Sequence, residues 1–232
     1  MTPAPIAVAL DAPDLETAAQ WASLVTPHVS TVKVGLELYL RYGPDVIASV
    51  RGASGVQVFL DLKLHDIPNT VSGASRAVAR LRPAILTVHA TGGPAMIRAA
   101  VEAAADDTQI AAVTILTSLT EADLGRVGLL GPADDAVRRL AGVAVEAGAT
   151  ALVCSPHEVS AVRAEVGKGI TLITPGVRPA GAATQDQARV ATPEQALADG
   201  ADLLVIGRPI TGAADPGAAA AAIAASLRRQ VS

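Results

Sequence analysis

Asp61, Lys63 and Asp66 fall close together in Asp61-Leu62-Lys63-Leu64-His65-Asp66, directly after the mostly apolar residues 56–60. Side chains alternate along an extended strand, so Asp61 and Lys63 are expected on one side of it. If that side is the mouth of a fold, an acid and an ammonium stand together in a partly dehydrated place. Such an ammonium supplies fixed positive charge and a proton where negative charge develops on a bound molecule. The plain alternative is an ion pair that only stabilises the fold, since charges removed from water must be paired. A second lysine, Lys33, lies in the apolar run Val32-Lys33-Val34. An array of two lysines with two or more aspartates is more than one structural ion pair requires.

These residues need a scaffold, and the hydropathy pattern supplies one. Short apolar, β-branched-rich runs recur at residues 6–10, 31–35, 56–60, 85–89, 110–116, 151–154, 171–174 and 203–206, each too short for a helix. Between them, Leu15, Ala18, Ala22 and Val25 keep helical spacing, as do Val71, Ala74, Val78 and Leu81, and Val137, Leu140, Ala144 and Val145. Thr192-Pro193-Glu194-Gln195 reads as a helix start with an N-cap threonine, a first-turn proline and a capping-box glutamine. Gly43-Pro44-Asp45, Gly93-Pro94 and Asp215-Pro216 read as helix entrances, and Gly148 and Gly200 as C-caps. Eight strands alternating with eight helices predict a single-domain (β/α)8 TIM barrel over residues 1–232. An open doubly wound sheet is the competing fold, but no Gly-x-Gly-x-x-Gly follows the first strand.

Barrel enzymes place their chemistry at the C-terminal ends of the strands. Those ends carry Asp11, Lys33, Asp61 with Lys63, His89, Thr117 with Ser118, Ser155 with His157, Arg178, and Gly207-Arg208. Any one of them alone could be an ordinary loop residue. Pro175-Gly176-Val177-Arg178 and Gly207-Arg208-Pro209-Ile210 follow strands seven and eight, where such barrels hold phosphate through glycine N–H groups and an arginine fork. A phosphorylated small molecule is the expected substrate. His65 and His89 invite a metal reading, but alternation turns His65 away from Asp61 and Lys63, and no metal is expected. Cys154, after an apolar run, reads as packing rather than a nucleophile.

Bulk composition narrows the classes further. Half of the 232 residues are apolar but only 2% are aromatic, an aliphatic mixture suited to buried parallel strands under alanine-rich helices. The 18 basic and 22 acidic residues give a net charge of −4, with no basic run for nucleic acid. One cysteine permits no intrachain disulfide, and no apolar stretch is long enough to span a membrane. A cytoplasmic location is expected.

The segment Asp61-Leu62-Lys63-Leu64-His65-Asp66-Ile67-Pro68-Asn69-Thr70 resembles the signature of the orotidine 5′-phosphate decarboxylase family, in its bacterial branch. Ala9-Leu10-Asp11, Lys33-Val34-Gly35, Leu116-Thr117-Ser118, Thr174-Pro175-Gly176-Val177-Arg178-Pro179 and Gly207-Arg208-Pro209-Ile210 are similar in the same order. The resemblance implies decarboxylation of orotidine 5′-phosphate to UMP in pyrimidine biosynthesis, without a cofactor, by a homodimer. It implies that Lys63 protonates C6 of the pyrimidine within an array of Lys33, Asp61, Lys63 and Asp66, with Asp66 and Thr70 supplied by the other subunit. It further implies ribose contacts from Asp11 and Lys33, and a pyrimidine contact from Thr117 or Ser118. Gln187, Gly207 and Arg208 would hold the phosphate, with Arg178 at the start of a closing loop.

That chemistry suits the residues. Losing CO₂ from C6 leaves a carbanion that the ring carbonyls cannot delocalise, so stabilisation must be electrostatic. Related barrels that decarboxylate or cleave sugar phosphates with magnesium share Asp-x-Lys-x-x-Asp but carry an acidic ligand where Lys33 stands. Those enzymes, and a phosphate-binding barrel without chemistry, are the alternatives.

Overall fold

The computed structural model describes residues 2–179 and 191–229. Its elements run β1 (Ala4–Ala9), α1 (Leu15–Val25), β2 (Val29–Gly35), α2 (Leu36–Tyr42), α3 (Asp45–Ser54), β3 (Gln57–Leu64) and α4 (Pro68–Ala79). They continue with β4 (Ile85–His89), α5 (Gly93–Ala103), β5 (Gln109–Val113), α6 (Glu121–Arg126), α7 (Ala133–Glu146), β6 (Ala151–Val153) and α8 (Val159–Val166). The chain then forms β7 (Thr171–Pro175), α9 (Pro193–Ala198), β8 (Leu203–Ile206), α10 (Arg208–Thr211) and α11 (Pro216–Arg229). All eight strands pair in parallel, in sequence order, and β8 returns to β1 to close the barrel. The TIM-barrel expectation therefore holds.

The helix layer is richer than one helix per strand. The short α2, α6 and α10 precede the barrel-covering α3, α7 and α11. Gly43, at φ 57, separates α2 from α3, a left-handed turn that glycine makes without steric cost. The fifth strand also stops at Val113 rather than running to Leu116, so Thr117 and Ser118 sit in the following loop.

Local signals acted mostly as the sequence suggests. Thr192 caps α9 by accepting from the Gln195 N–H at 3.2 Å. The expected return arm of a capping box is missing, because the Gln195 amide donates instead to Asp199 at 2.8 Å. A helical i,i+4 neighbour has outcompeted the cap. Asp215 caps α11 through the Ala218 N–H at 2.9 Å.

Two apolar cores follow from strand alternation. Val8, Leu60, Leu86 and Leu172 face outward and join the helices in one large cluster. Ala7, Phe59, Ile85, Ala111, Ala151, Ile173 and Leu203 form a second cluster, inside the barrel. Alanines make most of that layer small, and the sole phenylalanine, Phe59, is the largest fully buried side chain among the described residues. Beneath it, Gln109 donates to Thr171 at 3.1 Å between the starting ends of β5 and β7. The interior is thus packed below, and the charged residues Lys33, Asp61 and Lys63 stand above that layer. No helix among the described residues is long and apolar enough to cross a membrane.

Candidate active site

The site begins with an irregularity in β3. This strand pairs regularly with β2 as far as Gly35↔Asp61. Against β4, however, Leu60 pairs with Leu86 and the next match is Leu64 with Val88. Asp61, Leu62 and Lys63 therefore stand opposite the single residue Thr87, which is a bulge. Lys63 takes φ 49, the left-handed region, which costs a non-glycine residue about 1–3 kcal/mol and is found where function holds it. The flat alternation expected for Asp61 and Lys63 breaks at this point, yet the bulge still brings both side chains together.

Lys63 Nζ donates to both carboxylate oxygens of Asp61, at 2.8 Å each. Lys33 Nζ stands 3.5 Å from Asp61 Oδ2 and 3.8 Å from Asp11 Oδ1. Thr87 Oγ1 donates to Asp61 Oδ1 at 3.0 Å and accepts from the Lys63 backbone N–H at 2.8 Å. Burial alone would push the Asp61 carboxyl up. The Lys33 and Lys63 ammoniums, with hydrogen bonds from Lys63 and Thr87, reverse this and hold it below the ordinary carboxylate value. Asp61 is thus a carboxylate shared between two cations. Space for Lys33 is made by Gly35, where a Cβ would lie 3.1 Å from Lys33 Nζ.

Above the apolar layer lies a cavity of about 170 Å³. Lys33, Asp61 and Lys63 line one side, and Val113, Val153, Pro175 and Val205 the other, with Thr117 at the rim. Thr117 is half-buried and lines this space, whereas Ser118 is exposed. Asp11 is exposed at the end of β1 beside Lys33.

The other expected residues fall around this centre. Gly207 makes the turn from β8 into α10, with room for a Cβ limited to 3.4 Å from that of Ala9. Arg208 follows as the first, exposed residue of α10. Arg178 is buried, and its N–H donates to the Ala191 carbonyl at 2.9 Å, so the two ends of the intervening segment are tied together. Gln187 lies outside the described residues. Asp66 and Thr70 are exposed. Asp66 turns to the Ile67 N–H at 2.6 Å, and neither residue is among those lining the cavity. One chain alone therefore assembles Lys33, Asp61 and Lys63, but not Asp66.

The His65 and His89 rings stack, tilted, with centroids 5.2 Å apart. Burial, with the nearby His65 and Lys63, holds His89 below its ordinary value. Among the described residues, no group of three or more His, Cys, Asp or Glu side chains is placed to hold a metal ion. Cys154 lines the cavity but is 1% exposed. Burial, and the neighbouring Glu158 carboxylate, push its thiol up to about 12, far from the thiolate a nucleophile needs. Thr87 is the residue of the site that the sequence reading did not single out. The signal for Thr87 was a hydroxyl in the otherwise apolar Ile85-Leu86-Thr87-Val88, on the inward alternation set by Ile85.

The sequence profile of the Orotidine 5′-phosphate decarboxylase / HUMPS family matches residues 4–223. An orotidine 5′-phosphate decarboxylase from Thermobifida fusca is 74% identical over 226 residues, covering 97% of each chain. Another, from Frankia casuarinae, is 58% identical over 241 residues, covering 97% of this chain and 88% of that one. A crystal structure of orotidine 5′-phosphate decarboxylase from Lactobacillus acidophilus superposes with a TM-score of 0.82 at 36% identity, covering 97% of this chain and 99% of that one.

Proposed function

This chain belongs to the orotidine 5′-phosphate decarboxylase family, and we propose that it converts orotidine 5′-phosphate to UMP and CO₂ in de novo pyrimidine biosynthesis, acting as one domain without a cofactor. The observation that carries the mechanism is the Lys63 ammonium, held 2.8 Å from both oxygens of a buried carboxylate beside an apolar-walled cavity. With the pyrimidine in that cavity, the C6–carboxylate bond breaks and its electron pair stays on C6. Lys63 offsets the charge as it develops and then transfers a proton to C6. Asp61 holds the Lys63 ammonium in place, and Lys33 adds a second positive charge. Fixed charges in a dehydrated cleft act without reorganising, which gives them their strength.

Asp11 and Lys33 bind the ribose hydroxyls in this reading, and Thr117, which lines the cavity, is favoured over Ser118 for the pyrimidine. Gly207, Arg208 and Gln187 hold the phosphate, while Arg178 begins the loop that closes over it. Energy from that remote grip aligns the reacting ring. Asp66 and Thr70 complete the site of a second copy in a homodimer, which accounts for their exposure in one chain. No nucleic acid or membrane takes part, and the enzyme works in the cytoplasm. A magnesium-dependent sugar-phosphate reaction is disfavoured by Lys33, a cation 3.5 Å from Asp61 where an acidic ligand would be needed.

The test is a spectrophotometric assay of purified protein with orotidine 5′-phosphate in EDTA. Wild type turns over at full rate, and Lys63→Ala loses at least about 10⁴-fold in kcat/KM. Activity that needs magnesium, or a Lys63→Ala variant within tenfold of wild type, overturns the reading.

A further inference from the structure

We infer that Thr87 is a positioning residue for the decarboxylation, its hydroxyl locking Lys63 and Asp61 into one rigid unit across the β3 bulge. This rests on the role given above to Lys63. Thr87 is fully buried, at the middle of β4, opposite the three residues Asp61, Leu62 and Lys63 that the ladder leaves unmatched. A bulge takes backbone groups out of the ladder, and a buried N–H without a partner is costly. Thr87 Oγ1 takes that place, accepting from the Lys63 N–H at 2.8 Å. A threonine hydroxyl has one proton, and Thr87 gives it to Asp61 Oδ1 at 3.0 Å. Asp61 in turn grips Lys63 Nζ. The contacts form a closed ring that fastens Lys63 at its backbone and at its ammonium.

The ring explains how a lysine can be kept at φ 49. Neither bond of the Thr87 hydroxyl is local in sequence: Thr87 is 24 positions from Lys63 and 26 from Asp61. Opening the ring leaves the ribose and phosphate contacts in place, so binding should survive. The ammonium, however, loses its fixed position relative to C6, and misplacement on the scale of an ångström costs about 100-fold. Only the hydroxyl is implicated, because the Thr87 methyl plays no part in either bond.

Steady-state kinetics of Thr87→Val, Thr87→Ser and Lys63→Ala test this. Thr87→Val is expected to lower kcat about 10- to 100-fold, with KM and competitive inhibition by UMP within about threefold of wild type. Thr87→Ser should recover to within about threefold. Should Thr87→Val not fold, Thr87→Ser against Thr87→Ala makes the same comparison, and a tenfold advantage for serine is expected. Hydroxyl-free variants within threefold of the serine variant overturn the inference, while an inactive Lys63→Ala in the same series leaves the role of Lys63 standing. An active Lys63→Ala would instead defeat the reading on which it rests.

Discussion

Replacing Asp61 by Asn tests whether the charge cluster is held together by this one carboxylate. Its oxygens lie 2.8 Å from Lys63 Nζ and 3.5 Å from Lys33 Nζ. At an effective dielectric of about 20, those contacts amount to about 6 and 5 kcal/mol of attraction. Desolvation of the buried ions offsets several kcal/mol for each. Asparagine also leaves two ammoniums facing each other, although Lys63, with its side chain 30% exposed, can turn toward water. We therefore expect a net loss of about 3 kcal/mol, at the low end for breaking a buried ion pair. For a chain of this size the melting temperature should fall by about 6–12 °C. The pH dependence has a definite sign. The folded-state Asp61 carboxyl is held below its ordinary value of 3.8, so its stabilisation is complete above that value and is lost as pH falls through the lower, folded one. Calorimetry at fixed protein concentration should give equal gaps between wild type and Asp61→Asn at about pH 7.5 and 5.5, narrowing only in stronger acid. Adding Lys33→Met to Asp61→Asn should raise the melting temperature again by removing one of the two repelling charges. An Asp61→Asn variant as stable as wild type at neutral pH, or not helped by Lys33→Met, would refute the account.

Three further expectations can be checked directly. Arg208→Ala should lower kcat/KM about 10- to 150-fold, through kcat as well as KM, the value of a charge-assisted phosphate contact; a rate within twofold of wild type would remove Arg208 from the phosphate site. Mixing inactive Lys63→Ala with inactive Asp66→Asn should restore about a quarter of wild-type activity, because half of the dimers are hybrids with one intact site; no recovery after verified subunit exchange would exclude a shared site. With its thiol pushed up to about 12, Cys154 should react with iodoacetamide at pH 8 at least about 100-fold more slowly in the folded than in the unfolded protein; comparable rates would contradict its burial.

What could be read from the sequence, and what could not, divides by how local the cause is. All eight strands are visible as short aliphatic runs, because parallel strands covered on both faces need no polar alternation on their outer side. Lys33 and Asp61 could be found for the same reason: a charge inside an apolar strand is expensive and therefore conspicuous. The three additional helices could not, since α2, α6 and α10 are four to seven residues long, too short to display a period. The bulge at Lys63 was equally hidden. Alternation on β3 led to the right neighbour by a route the backbone does not take, because the register is set by Thr87 on another strand.

Asp66 shows the remaining limit. It stands three positions from Lys63 in the same motif, and proximity in sequence invites one cluster. The chain instead turns at Ile67 into α4 and leaves Asp66 exposed. Spacing alone cannot distinguish a residue aimed into its own cavity from one aimed at a neighbour's. The geometry of one chain shows only that Asp66 is not aimed into its own cavity: among the described residues the carboxylate paired with Lys63 is Asp61, at 2.8 Å, and Asp61 is shared with Lys33. Lys33 has a second, exposed carboxylate in Asp11 at 3.8 Å, whereas Lys63 shares its carboxylate with Lys33. In the proposed homodimer the partner's carboxylate would give Lys63 a second anionic partner and oppose the carboxylate of the substrate, so that the charge around Lys63 and subunit association would depend on the same residue.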